Sequence, residues 1–118
     1  MNEFEHRVYP LIVKNLGRAR RGVPKVEFHT NIYARLSGIP DMVGEDNPHA
    51  EYDWKKNKIY LYTPAMVSEK EIIKSLLHEY THATQDPKKM KEYRKLGYAK
   101  NPYERAAHKA EKNWRKYL

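Results

Sequence analysis

The apolar positions fall into blocks whose period switches several times along the chain. Phe4, Val8, Leu11, Ile12 and Leu16 recur at helical spacing and stop at Gly17. Pro10 falls inside that block, which predicts a kink or two short helical pieces. Arg18 to Gly22 is a basic connector, too short to be more than a weak signal for phosphate contact. Val23 to Thr30 alternates through Val26 and Phe28 and reads as a strand. Ile32 to Leu36 fits a strand or a helical turn, and Gly38 to Pro48 reads as loop. Two more strands are expected over Ala50 to Trp54 and Ile59 to Tyr62, joined as a hairpin through Lys55-Lys56-Asn57-Lys58. The second of these is expected to offer a free sheet edge to an extended peptide.

The strongest helical block comes next. Ser68 followed by Glu71 is a capping box, and it sets the helix start. At about 100° per residue, Ile72, Ile73, Leu76, Leu77, Tyr80 and Ala83 share one arc. Asp86-Pro87 ends the block. A short basic helix with Met90, Tyr93 and Leu96 follows and stops at Gly97. Asn101-Pro102 opens a last helix, with Asn as N-cap and Pro at its first position. Tyr103, Ala106, Ala107, Ala110, Trp114 and Tyr117 form its apolar stripe, and Arg105, Lys109, Lys112 and Lys116 its basic one. Glu104, His108 and Glu111 lie between the two. The expected fold is α+β: one domain over residues 1–118, with a sheet of about three strands packed on the capped helix and the C-terminal helix.

His78 and His82 lie outside the apolar arc of their helix, and Glu79 lies at its border. Histidines at i and i+4 stand one turn apart on one face, so both imidazoles can reach a single ion. His78-Glu79-x-x-His82 is therefore the spacing of a catalytic Zn2+ site, with Glu79 placed as general base. Such zinc takes a third protein ligand. Gln85 and Lys88 stand where a metzincin would continue its motif, which excludes that class. Glu104 and His108 are the candidates, Glu104 ahead. Glu104 also fits a plainer role as the acid three residues after the Asn101 cap. His108, if not a ligand, is placed to serve a developing oxyanion. His6, His29 and His49 read as surface or core-edge residues.

Composition narrows the chemistry. With no cysteine in 118 residues, disulfides and thiolate ligands are excluded. The formal net charge is +8, and it is unevenly spread. From Asp86 onward there are eleven Lys/Arg against four Asp/Glu; the earlier residues nearly balance. A basic C-terminal third is expected to attract nucleic acid, an anionic membrane surface or acidic polypeptides, although a Lys-rich solvated face is the plainer reading. The second functional expectation is therefore a basic module that binds nucleic acid or a protein, with zinc structural or regulatory. No apolar run approaches the roughly 20 residues of a membrane span, and no secretory h-region opens the chain. A cytoplasmic location is expected.

His78-Glu79-x-x-His82 followed by Asn101-Pro102-x-Glu104-x-x-Ala107 resembles the gluzincins, which pair an active-site helix with a later glutamate helix. Over about residues 50 to 117 the chain most resembles the minigluzincins, small soluble scaffolds similar to the catalytic domains of integral-membrane metallopeptidases. The resemblance implies a zincin-like fold and a zinc metalloendopeptidase acting on peptide or protein substrates. It implies His78, His82 and Glu104 as zinc ligands and Glu79 as general base and acid. It gives no clear match for an oxyanion-stabilising tyrosine or histidine. It also implies a latent precursor, blocked by its C-terminal segment. Trp114, Tyr117 and Leu118 are bulky for a chain end. They are expected either to pack on the chain's own core or to cover the zinc cleft, the latter in its own chain or through helix exchange in a homodimer.

Overall fold

A computed structural model describes residues 4–29, 50–62 and 68–118. The expectations for Ile32 to Leu36, Gly38 to Pro48 and His49 fall outside them, as does the side chain of His29. The N-terminal block is two pieces, a π-helical turn Phe4–Val8 and helix α1, Tyr9–Leu16. Pro10 sits in the first turn of α1, where its missing N–H leaves no hydrogen bond unmade. Gly17 ends α1 at φ 88°, a region open to glycine, and its N–H reaches the Val13 carbonyl at 3.0 Å.

Three strands follow: β1 Lys25–His29, β2 Ala50–Asp53 and β3 Lys58–Tyr62. Their order is β1-β3-β2, with β1 parallel and β2 antiparallel to β3. Ile59 thus pairs with both Val26 and Tyr52. This corrects the expectation that Ile59–Tyr62 is a free edge. The strand is central because Ile59 and Leu61 bury one face while Tyr60 and Tyr62 bury the other. A strand so buried gains most with a ladder on each side. Tyr62 also donates to Glu51 on β2 at 2.8 Å, which gives that buried carboxylate a partner.

The hairpin turn is closed by side chains. Asp53 Oδ1 accepts from the backbone N–H of Lys55 and Lys56, and Asn57 takes φ 54°. Asn57 then donates to the carbonyls of Arg21 and Gly22, and accepts from Tyr52. Arg21 donates to the carbonyls of Trp54 and Lys55. Part of the basic connector therefore clasps the hairpin.

Helix α2, Glu69–Thr84, starts where Ser68 Oγ accepts from the Glu71 N–H at 3.2 Å. Ile73, Leu76, Leu77, Tyr80 and Ala83 bury the predicted arc against Ile59, Leu61, Val8 and Ile12. Tyr80 packs edge-on against Tyr9 and donates to the Gly17 carbonyl at 2.6 Å, tying α2 to the end of α1. Helix α3, Pro87–Tyr93, is capped by Asp86. It runs through two 3-10 turns, and Leu96 and Tyr98 there are exposed. Helix α4, Pro102–Glu111, starts at a buried Asn101 whose Oδ1 accepts from the N–H of Tyr103 and Glu104. It lies against α2.

The predicted last helix is shorter than its apolar stripe. It breaks after Glu111, and Trp114–Tyr117 is a separate 3-10 turn. The break lets Tyr117 enter the core, where it is 3% exposed. Its hydroxyl accepts from Asn15, and its carbonyl accepts from Arg7. Leu118 is exposed.

Candidate metal centre

The polar side of α2 meets the polar side of α4 at one point. His78 and His82 stand a turn apart on α2, and Glu104 comes from the first turn of α4. The Asn101 cap places that turn, since its side chain holds the Glu104 backbone N–H itself. Nε2 of His82 lies 2.7 Å from Glu104 Oε1, and Nε2 of His78 lies 3.5 Å from Oε2. The two Nε2 atoms are 3.2 Å apart. All three side chains are mostly buried, at 13%, 11% and 14% exposed.

These spacings fit a transition metal. Donors about 2.0–2.1 Å from zinc, at tetrahedral angles, stand roughly 3.3 Å from one another. The Nε2–Nε2 separation of 3.2 Å is close to that value, while the two Glu104 oxygens stand 2.7 Å from His82 and 3.5 Å from His78. Two imidazole nitrogens and one carboxylate oxygen also form a donor set suited to zinc, and they leave a fourth position for water or substrate. The His78, His82 and Glu104 ligand atoms all lie within 4.8 Å of one another.

Charge in the cluster follows the same contacts. Burial works against charge on His78, but the Glu104 and Glu111 carboxylates outweigh it and push the imidazole up to about 10. Burial opposes charge on His82 too, yet Glu104 and Glu79 raise it. Burial favours a neutral Glu104; the two imidazoles overcome this and hold its carboxyl well below the usual carboxylate range. Glu79 is buried, and its carboxylate bears electrostatically on both histidines.

His108 stands apart from the triad. Its side chain is about half exposed, its Nδ1 lies 3.0 Å from Glu111 Oε2, and its Nε2 lies 2.7 Å from the Tyr98 hydroxyl. Its ring meets that of His78 edge-on at 4.9 Å. His78, His108 and Glu111 form a second group of potential ligands, reached through Nδ1 of His78 rather than Nε2. His6 is exposed on the N-terminal turn and belongs to neither group.

Two residues with no role assigned from sequence touch the outer nitrogens of the pair. Glu111 Oε2 lies 2.7 Å from His78 Nδ1, and Gln85 Oε1 lies 2.7 Å from His82 Nδ1. The sequence does carry a signal for Glu111: it sits two turns after Glu104, on the same face of α4. Gln85 stands just past the last turn of α2, one turn from His82, in the position of an ordinary C-cap. No protein-family model, curated protein or solved structure matches the chain.

Proposed function

We propose that this chain is a zinc-dependent metallopeptidase of the gluzincin type, with His78, His82 and Glu104 as ligands and Glu79 as general base. The observation that carries this reading is the convergence of two imidazole Nε2 atoms, 3.2 Å apart, on the Glu104 carboxylate, with the buried Glu79 on the same helix as the histidines. Zinc in such a set supplies a Lewis acid that polarises a carbonyl and lowers the pKa of water. The chain's own residues do the rest. Glu79, next to His78 on α2, takes the proton of the attacking water and returns it to the leaving amine. Burial of the cluster keeps bulk water from competing for those hydrogen bonds. Glu104 neutralises part of the added positive charge and ties α4 to α2.

The test starts from purified chain incubated with zinc and freed of excess. About one zinc per chain is expected, with chelator-sensitive cleavage of a mixed peptide library that zinc restores. A chain that folds but takes up no zinc would remove the proposal, and so would zinc-loaded protein that leaves every peptide intact both at full length and cut after Lys112.

A further inference from the structure

The outer nitrogens of the two histidines are held by different chemistry, and each contact needs a hydrogen on Nδ1. An ionised carboxylate only accepts, so Glu111 Oε2, at 2.7 Å, requires a hydrogen on Nδ1 of His78. Gln85 is an amide and could face His82 either way. Its Nε2, however, donates to the Tyr103 carbonyl on α4 at 3.0 Å, which turns Oε1 towards His82. That oxygen, 2.7 Å from Nδ1, can only accept.

From this geometry we propose that Glu111 and Gln85 are positioning residues that hold both histidines by Nδ1–H and so turn both Nε2 atoms towards Glu104, where a divalent transition metal would bind in place of the Nε2 hydrogens that this carboxylate holds. The inference rests on the metal reading above and extends it to how the site is built before an ion arrives. Each positioning residue spans the seam between the two helices. Glu111 reaches from the last turn of α4 to His78, and Gln85 reaches from the end of α2 to the start of α4. Ring orientation is thereby tied to helix packing, so neither imidazole has to find its rotamer during binding.

The two partners are not equivalent. Glu111 Oε2 is shared, because His108 Nδ1 approaches it at 3.0 Å, and Lys74 stands 3.9 Å from Oε1. His108 also has the Tyr98 hydroxyl on its other nitrogen. Its hydrogen bonds are thus complete without a metal. Gln85 has one imidazole on its oxygen and one carbonyl on its nitrogen, a partner for each end of the amide. The carboxylate makes His78 the more basic ligand, while the neutral amide only orients His82.

The experiment is a zinc titration of the full chain against a chromophoric competing chelator, with zinc alone as the probe. Glu111→Ala and Gln85→Leu should each raise the zinc Kd by about 10- to 100-fold. Glu111→Gln keeps an acceptor and should recover much of that loss; being isosteric, it also serves if Glu111→Ala fails to fold. Nitrogen-15 spectra of the zinc-loaded wild type should show hydrogen on Nδ1 of both rings, with the His82 signal lost selectively in Gln85→Leu. Folded Glu111→Ala and Gln85→Leu proteins that both bind within about threefold of wild type would overturn the positioning roles. So would a wild type that takes two zinc ions, one of them lost in His108→Ala, because Glu111 would then be a ligand. Failure of the metal reading itself looks different: wild type and His82→Ala would both stay metal-free.

Discussion

His82 and Glu104 meet across the seam between α2 and α4, with Nε2 and Oε1 2.7 Å apart. The contact joins the two helices at the point where each presents its polar face, and it leaves His108 on the outer side of His78. Glu104→Ala should therefore abolish tight zinc binding. His108→Ala should leave affinity within about threefold of wild type, since its nitrogens are engaged elsewhere. Chelator competition on the two variants decides the ranking. Loss of zinc in His108→Ala with retention in Glu104→Ala would reverse the assignment.

Asn101 caps α4 and is buried, so replacing it should affect both folding and the site. Asn101→Ala leaves the Tyr103 and Glu104 N–H groups without their shared acceptor. The expected cost is about 1–2 kcal/mol in urea denaturation, accompanied by weaker zinc binding because the first turn of α4 carries Glu104. A variant of unchanged stability would show that the cap does not set the helix start.

Some of this arrangement was legible in the residues, for local reasons. Ser68 and Glu71 mark the start of α2, and its apolar arc leaves His78 and His82 on another face. Asn101-Pro102 marks the start of α4 equally clearly. Pairings between distant segments left no such mark. β1 is parallel to β3, so its partner depends on a crossover rather than on a turn. The central place of β3 shows only as an unbroken apolar run, Ile59 to Tyr62, which a short edge strand can also have. The apolar stripe through Trp114 and Tyr117 also concealed the break after Glu111, because a 3-10 turn carries the same residues into the core. The contacts of Glu111 and Gln85 with the histidines depend on how α2 and α4 lie against each other, and sequence spacing within either helix does not give that.

The C-terminal turn contributes to the core. Tyr117→Ala should cost about 3 kcal/mol or more, judging by large aromatic truncations in cores, and the Asn15 hydrogen bond is lost with it. Removing all residues after Lys112 should destabilise the chain further. Cleavage rate and zinc content measured together on that truncate separate packing from latency. A folded, zinc-loaded truncate that cleaves faster than the full chain would assign the segment a covering role.

Tyrosine burial predicts an alkaline limit to stability. Burial, helped by Tyr80 and Tyr52, raises the pKa of Tyr9, which donates to the Pro24 carbonyl at 2.7 Å. Above the ordinary tyrosine pKa of about 10, the unfolded chain loses this proton while the folded chain keeps it. The contribution of Tyr9 is therefore complete below about pH 10 and declines as pH rises beyond it. Tyr9→Phe should cost about 1 kcal/mol at neutral pH but show a shallower decline between about pH 9 and 11 in urea midpoints. An equally steep decline in both proteins would assign the alkaline limit to other groups.

The central claim is that Glu79 moves the proton while His78, His82 and Glu104 hold the metal. Glu79→Gln keeps the shape of the side chain and removes its basicity. The direct measurement is peptide cleavage rate and zinc content, determined on the same preparations of wild type and Glu79→Gln. About one zinc per chain is expected in both proteins, with turnover falling at least 100-fold in the variant. Zinc-loaded Glu79→Gln that cleaves at the wild-type rate would contradict it.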